Sequence, residues 1–251
     1  MSVGQKLSYA RSLVITAPLI FLYTGVMGSI SLASSLVDSK GRIQHACARL
    51  WARMILGTSR IRVRVSGVQN VRPGTPYVIC MNHQSHMDTP IVLAALPFQF
   101  RFTPKKELFR YPFLGWHLRR SGHVPIDREN PHAAVKSLRE AADSIRHGRP
   151  VVIFPEGGTS RDGAIKPFKG GGFMLATRSG AEVVPVTIRG SRAVLMPKTY
   201  HVRGGTVEVI IGKPISPEGV SPAELAKRVR EEIVTTFNHG KTLDRNSYSL
   251  S

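Results

Sequence analysis

The stretch Tyr77-Val78-Ile79-Cys80-Met81-Asn82-His83-Gln84-Ser85-His86-Met87-Asp88 decides the fold, because it passes from an apolar run to a polar turn. Its first five residues are apolar and β-rich, which predicts a buried strand. Asp88-Thr89-Pro90 predicts the start of a helix, since proline is tolerated in the first turn. In open α/β sheets, ligands bind in the crevice outside the carboxyl ends of the strands. The turn between this strand and helix is therefore a candidate functional site.

Strand and helix patterns alternate along the rest of the chain. This alternation predicts an α/β fold with a mixed, largely parallel sheet flanked by helices, and an N-terminal membrane-associated helical region. We expect an α/β domain over residues 58–240 and a flexible polar tail over 241–251. Phe98 to Trp116, aromatic and basic, is interpreted as an irregular lid or acceptor-binding loop. The expected strands are 61–65, 77–81, 124–127, 150–154, 183–189 and 206–211, and the expected helices are 89–96, 131–145, 173–179 and 221–237.

The N-terminal region, residues 1–57, is expected to associate with a membrane. An uncharged run of about 26 residues, Ser12 to Val37, exceeds the roughly 20 that are needed to cross a bilayer core. Pro18 interrupts the run and its second half is rich in Gly and Ser, so a broken, interfacial or re-entrant helix fits as well. A cleaved signal peptide is a further alternative. Basic residues are denser after the run, which by the positive-inside rule predicts that the bulk of the protein is cytoplasmic.

A basic amphipathic helix is predicted next, because apolar residues recur at three- and four-residue spacing from Ile43 to Ile55. Packing on the domain is one interpretation of this stripe. Since Trp51 lies among arginines directly after an apolar anchor, we favour membrane contact.

The composition is strongly basic, with 35 Lys and Arg against 16 Asp and Glu and a formal net charge of +19. This excess predicts an anionic partner, either nucleic acid or an anionic membrane surface. The basic residues are spread along the chain without a recognisable nucleic-acid module, so we expect anionic membrane lipids as the partner and no nucleic acid. Cys47 and Cys80 are too few for a disulfide framework and are interpreted as core residues in a reducing compartment.

His83 and Asp88 are the candidate catalytic pair. Because they are five residues apart around a turn, the carboxylate can bond one imidazole nitrogen and leave the other as a general base. A purely structural contact is one alternative, and a metal site that includes His86 is another. The other histidines are scattered and no second cluster of ligands exists, so no metal is expected and His86 is interpreted as structural.

Signatures of covalent catalysis and of phosphate loops are missing from the sequence. It has no Gly-x-Ser-x-Gly elbow, and neither cysteine has neighbours that favour a thiolate. Gly170-Gly171-Gly172 lacks the spacing of a Walker motif. A base at His83 must therefore activate a hydroxyl group that belongs to the substrate.

A second polar turn, Glu156 to Gly163, also follows an apolar strand. Its glycines allow a ligand to approach the backbone, and it would suit a phosphate or a polyol. An ordinary surface turn is the alternative interpretation.

Together, four motifs resemble the glycerolipid acyltransferases with the His-x4-Asp motif, in particular the bacterial 1-acyl-glycerol-3-phosphate acyltransferases. The resemblance covers roughly residues 60–215, and it is specific because four motifs agree in order and spacing. The motifs are Asn82-His83 followed by Asp88, then Ile126-Asp127-Arg128, then Phe154-Pro155-Glu156-Gly157, then Val184-Pro185-Val186.

The resemblance implies transfer of a fatty acyl group from acyl-ACP or acyl-CoA to the hydroxyl of a lysophospholipid, which converts 1-acyl-glycerol-3-phosphate to phosphatidic acid. It implies an enzyme at the cytoplasmic face of the inner membrane that needs no cofactor. It makes His83 the base and Asp88 its orienting partner. The candidate substrate-binding residues are Lys105, Arg128, Glu156, Gly157 and Arg161.

One motif departs from the family pattern. The family usually reads Glu-Gly-Thr-Arg where this chain has Glu156-Gly157-Gly158-Thr159, and Arg161 is the nearest substitute for the missing arginine. An acyltransferase for another acceptor, such as a lyso-ornithine lipid, is therefore an alternative. A non-enzymatic basic protein that binds membranes or nucleic acid is the alternative from another class.

Overall fold

The centre of the molecule is a mixed sheet. The computed structural model describes residues 3–38, 40–111, 114–125, 141–160 and 162–246, with side chains as far as residue 239. Six strands in this part of the chain are ordered β1-β6-β5-β2-β4-β3. All neighbours are parallel except β5 and β6, which confirms the predicted largely parallel sheet. The strands are β1 Ile61–Ser66, β2 Val78–Met81, β3 Arg101–Phe102, β4 Val151–Ile153, β5 Val183–Arg189 and β6 Gly205–Ile211.

Helices cover both faces of the sheet. Successive side chains of a strand point to opposite faces, so one strand can pack against helices on both sides. Ile79 and Met81 of β2 lie in a hydrophobic cluster with the N-terminal helices, whereas Val78 and Cys80 lie in a second cluster on the other face. The central strand is therefore buried on both sides. The helices are α1 Val3–Ser34, α2 Arg42–Thr58, α3 Asp88–Ala95, α4 Leu114–Arg120, α5 Gly171–Ser179, α6 Ser191–Val194 and α7 Pro222–Asn246.

The N-terminal run forms one helix, α1, of 32 residues. Its residues Ser12–Thr16 form a π-helical turn directly before Pro18. Proline has no N–H and its ring clashes with the preceding turn of an α-helix, so a local change of hydrogen-bond register lets the helix continue. By length and composition, α1 is a candidate membrane span, and most of it is exposed.

The amphipathic helix α2 packs partly on the domain, and its contact with a membrane stays a prediction. Ala52, Ile55 and Leu56 are buried in the same cluster as the sheet. Trp51 is half-buried and donates from its indole N–H to Thr24 Oγ1 of α1, at 3.0 Å. Part of the apolar stripe therefore packs on the sheet and on α1, whereas Ile43 and Leu50 of the stripe are 46% and 51% exposed.

The segment from Phe98 to Trp116 is more regular than predicted, so the interpretation as an irregular loop is wrong. It contains β3, a 3-10 helix over Lys106–Arg110, and the first residues of α4. The two residues of β3 pair in parallel with Val151 and Val152. Such a short strand depends on its neighbour across the sheet, and local sequence does not reveal that partner.

Three other elements differ from or exceed the expectation. Helix α7 continues to Asn246, nine residues beyond the predicted end at Phe237. Val124 is not in a strand, although its N–H donates to the Phe102 carbonyl at 3.2 Å. The predicted helix 131–145 is described only from residue 141, and residues 141–146 are helical.

Candidate active site

The turn that carries His83 leaves the sheet at the carboxyl end of its central strand, β2. Asn82 fixes this exit, because its side chain donates to the Ile188 carbonyl at 2.9 Å and accepts from the Ile188 N–H at 2.8 Å. Asn82 is fully buried, so both bonds are protected from water. His83 therefore emerges at a fixed position beside β5.

His83 and Asp88 form the predicted pair. The Nδ1 atom of His83 lies 2.8 Å from Asp88 Oδ2. The same carboxylate oxygen accepts the N–H of Gln84 at 2.7 Å and the N–H of Ser85 at 2.9 Å. Asp88 is fully buried at the start of α3, where a negative charge is favoured by the helix dipole.

This geometry assigns the protons of the imidazole. An ionised carboxylate only accepts hydrogen bonds, so Nδ1 carries the hydrogen and Nε2 carries a lone pair. The His83 side chain is 17% exposed, whereas Asp88 is not exposed at all. The arrangement is a base of fixed tautomer that reaches the surface, which is what general base catalysis requires.

The His83 ring is held on its face as well as at its edge. It stacks on the ring of Phe154, with the centroids 4.2 Å apart and the planes inclined by 25°. Phe154 follows β4, the neighbour of β2 in the sheet. The two turns therefore meet at the same edge, as the rule for parallel strands predicts.

Glu156 joins the two turns through its carboxylate. Oε1 accepts the N–H of His83 at 2.7 Å, and Oε2 accepts the N–H of Lys166 at 2.9 Å. Glu156 is 5% exposed, and burial raises the pKa of its carboxyl group while these two N–H donors oppose the rise. A third bond runs from the Ser160 N–H to the His83 carbonyl at 3.0 Å.

Gly157 has a backbone conformation that favours glycine. Its φ is +76°, a region that favours glycine, and a Cβ atom there would lie 2.9 Å from Cε of Lys169. Lys169 also donates its backbone N–H to the Pro155 carbonyl at 2.9 Å. The glycine therefore lets the Lys169 side chain lie against the turn.

The other predicted site residues are placed as follows. Lys105 precedes the 3-10 helix, with Nζ 3.5 Å from Oε2 of Glu107. Arg128 and Arg161 lie outside the described residues. His86 is exposed, and its structural role stays a prediction.

Residues that could hold a metal ion are not grouped in the described part of the chain. No cluster of three or more His, Cys, Asp or Glu side chains occurs there. Sequence reasoning missed the roles of Asn82, Ser85 and Phe154, all of which brace the pair. Their partners are distant in sequence, and no local pattern points to them.

Comparison with known proteins identifies the family to which this fold belongs. A family model described as Acyltransferase matches residues 62–189, and the chain belongs to this family. It is 30% identical over 242 residues to the 1-acyl-sn-glycerol-3-phosphate acyltransferase of Saccharomyces cerevisiae, covering 94% of this chain and 79% of that protein. These matches confirm the resemblance that the four motifs suggested.

Two further comparisons bear on the fold and on the length of the chain. The crystal structure of the 1-acyl-sn-glycerophosphate acyltransferase PlsC from Thermotoga maritima matches with a TM-score of 0.78 and 27% identity, covering 93% of this chain and 98% of that one. A chloroplastic 1-acyl-sn-glycerol-3-phosphate acyltransferase of Brassica napus is 32% identical over 199 residues, or 78% of this chain. The chain spans 55 to 62% of the length of the plant and algal relatives that it matches.

Proposed function

We propose that the protein transfers a fatty acyl group from a thioester to the free hydroxyl of 1-acyl-glycerol-3-phosphate and so forms phosphatidic acid in phospholipid biosynthesis. The observation that carries the proposal is the His83–Asp88 pair at 2.8 Å, with Nε2 as its free base. The names of the relatives support the choice of acceptor.

In the proposed mechanism, His83 Nε2 takes the proton from the acceptor hydroxyl while the hydroxyl oxygen attacks the thioester carbonyl carbon. The new C–O bond gives a tetrahedral oxyanion. Its collapse breaks the C–S bond, and the leaving thiolate recovers the proton from the imidazolium. Asp88 stabilises that imidazolium and keeps the ring in the required tautomer.

The acceptor's phosphate and glycerol groups are proposed to bind beside the second turn. Lys105, Arg128 and Arg161 supply positive charge for the phosphate in this proposal, and Gly157 is proposed to lie beside the acceptor. Glu156 acts differently, because both its oxygens accept backbone N–H groups. We assign Glu156 to positioning the turn instead of contacting the acceptor.

The protein is proposed to lie on the membrane with α1 in the plane of the interface. Ser8 and Ser12 contact His201 and Tyr200 of the domain, and Ser31 contacts His117. At 1.5 Å per residue, Ser8 and Ser31 are about 35 Å apart, which exceeds a hydrocarbon core of about 30 Å. A crossing helix would carry these domain contacts into the lipid, so the interfacial interpretation fits better. The same contacts favour a retained helix over a cleaved signal peptide.

The exposed side of α1 supplies the apolar surface for this contact. Phe21 is 77% exposed and Val14 is 74% exposed. The net charge of +19 adds attraction to anionic lipids. We place the catalytic domain on the cytoplasmic face of the inner membrane, where acyl-ACP or acyl-CoA is the donor.

Replacing His83 with Ala tests the proposal. In vesicles that contain 1-acyl-glycerol-3-phosphate and an acyl thioester, we expect kcat to fall by about 100- to 10,000-fold, the usual contribution of a general base. His86→Ala is the matched control, because His86 is an exposed imidazole in the same turn. If a folded His83→Ala variant retained the wild-type rate, the proposed mechanism would be wrong.

A different acceptor is the second candidate, and the sequence Gly158-Thr159 favours it because the arginine of the family pattern is absent. A panel of lysolipids that includes lyso-ornithine lipid, offered with acyl-ACP and acyl-CoA and analysed by product mass, separates the two. A clear preference for an acceptor without phosphate would select the second candidate.

A further inference from the structure

A surface segment links the membrane helix to the catalytic turn. Residues 195–203, which we call the strap, lie between α6 and β6. One end of the strap contacts Ser85, and the other end contacts Ser12. We infer that the strap positions the His83–Asp88 pair and does so fully only when α1 is docked, with Ser12 and Ser85 as the positioning residues at its two ends. The inference rests on the proposed function.

Ser85 connects the strap to the pair directly. Its hydroxyl donates to the Leu195 carbonyl at 2.7 Å and accepts the N–H of Met87 at 3.1 Å. Its own N–H donates to Asp88 Oδ2 at 2.9 Å, the oxygen that also bonds His83. Ser85 is fully buried, so these bonds fix the carboxylate relative to the strap.

Ser12 connects the strap to α1 in the same way. Its hydroxyl donates to the Tyr200 carbonyl at 2.6 Å and accepts the N–H of Val202 at 2.8 Å. Ser12 is fully buried and is the first residue of the π-helical turn. His201 adds a contact of 3.1 Å to Ser8 Oγ.

The strap itself is constrained between these ends. Thr199 Oγ1 donates to the Met196 carbonyl at 2.9 Å, and the Arg203 N–H donates to the Val194 carbonyl at 2.7 Å. Lys198, between them, has a φ of +65°, which is uncommon for a residue with a side chain. Such a conformation persists only where the surroundings impose it. We therefore expect a displacement of one end of the strap to move its other end.

The strap also lies on the surface that is proposed to meet lipid. Tyr200 is 77% exposed and Met196 is 43% exposed, although both are large and apolar. Tyr200 is the residue whose carbonyl bonds Ser12. Contact of this surface with a membrane would hold α1 and the strap together, so docking and activity are coupled.

The test compares Ser12→Ala, Ser85→Ala and the double variant on vesicles that contain 1-acyl-glycerol-3-phosphate, with an acyl-CoA donor. Each substitution removes a hydroxyl group that donates one hydrogen bond and accepts another. We expect Ser12→Ala to lower kcat about three- to tenfold with KM unchanged, and Ser85→Ala to lower it more. The kcat of the double variant should equal that of Ser85→Ala, because Ser85→Ala already removes the hydrogen bond between the turn and the strap.

Tyr23→Phe is the matched control, because it removes a 3.1 Å bond between α1 and Thr58 of α2 without touching the strap. It should leave kcat unchanged, and vesicle sedimentation should show equal binding for all variants. Additive effects of the two serine substitutions, or a wild-type kcat for Ser12→Ala, would overturn the inference. Failure of the wild type to acylate the acceptor would instead contradict the proposed function.

Discussion

Glu156 is proposed to position the site through its hydrogen bonds instead of contacting the substrate. Its two oxygens accept N–H groups from residues 73 positions before it and 10 positions after it. The carboxyl group is buried, and this is tolerated because both of its oxygens accept hydrogen bonds. Its proposed effect on catalysis is to fix the backbone of His83.

Replacing Glu156 with Gln should therefore damage stability as well as activity. The amide keeps one acceptor oxygen but presents an NH2 group to the other backbone N–H, which leaves a buried donor without a partner. We expect the free energy of unfolding to fall by about 1 to 3 kcal/mol and kcat to fall about tenfold or more. Chemical denaturation and initial rates measure the two effects.

Glu182→Gln is the control for this prediction, because Glu182 is exposed and undergoes the same chemical change. An increase in the KM for the acceptor with unchanged stability would instead show that Glu156 contacts the substrate directly.

At this scale, the sequence revealed those residues whose partners are close along the chain. His83 and Asp88 are five positions apart, so a turn was enough to predict their contact. The bond from Asn82 to Ile188 spans 106 positions, and no pattern near Asn82 indicates it. Residues that brace a site from distant elements need the fold before they can be found.

At the scale of the elements, helix α1 leaves large apolar side chains exposed. A helix in a soluble core would bury its apolar residues, whereas Phe21, Val14 and Leu22 are 57 to 77% exposed. Apolar surface of this extent marks an interaction site. In the proposed orientation, lipid covers it.

Replacing Phe21 with Asp should weaken membrane binding. Burying a phenylalanine side chain is worth about 1.5 to 3 kcal/mol, so its loss should lower vesicle partitioning about tenfold or more. Sedimentation with anionic vesicles measures the change. Thr235→Asp is the control, because it adds the same charge at an exposed position of α7, on the opposite face of the sheet. Equal binding of the two variants would exclude α1 as the contact surface.

Elements with strong internal patterns were predicted well, and those that depend on neighbours were not. Strand β5 has the bounds Val183–Arg189 that its apolar run predicted. Strand β3 has only two residues and exists because Arg101 and Phe102 pair with β4. The sequence predicted that Pro18 interrupts the N-terminal helix, whereas a π-helical turn before Pro18 lets the helix continue. Local sequence did not indicate this turn.

For the whole molecule, three histidines lie where the N-terminal helices meet the sheet. His45 of α2 contacts the ring of Phe100, and His117 lies 2.9 Å from Ser31 Oγ of α1. His123 accepts the Phe102 N–H on Nδ1, so that nitrogen cannot carry a proton. Burial lowers the pKa of His117 and His123, and burial with the nearby Arg101 and Arg49 lowers the pKa of His45 to about 4.

We therefore expect acid to destabilise the fold where the N-terminal helices meet the sheet. A histidine whose folded pKa lies below its unfolded value of about 6.5 stabilises the fold fully above that pH. The stabilisation is lost as pH falls from 6.5 towards the folded pKa, because the unfolded chain then binds more protons. We expect Tm to fall by several degrees between pH 7 and pH 4.5, measured by thermal denaturation.

His45→Phe separates this effect from the titration of carboxylates. The variant keeps an aromatic ring against Phe100 but cannot bind a proton, so its Tm should fall less steeply between pH 6.5 and pH 4.5. Parallel curves for the variant and the wild type would show that His45 contributes nothing to the acid response.

The sequence determined the class of the whole molecule but left the arrangement of its N-terminus open. Four motifs were enough to indicate the acyltransferase family, because their order and spacing are specific. A crossing, a broken and an interfacial helix were all compatible with an apolar run that contains Pro18. The interfacial arrangement that we propose rests on contacts such as the bond from Ser12 to Tyr200, which spans 188 positions.

The docking of α1 along the domain also bears on how the protein reaches its membrane. In the proposed interfacial orientation, a helix held at both Ser8 and Ser31 would not need to be threaded across a bilayer during synthesis. The chain can complete its sheet in the aqueous phase and then attach to a single leaflet. We therefore expect its biogenesis to be independent of the translocation machinery, and its release to require detergent that competes for the exposed side of this one helix.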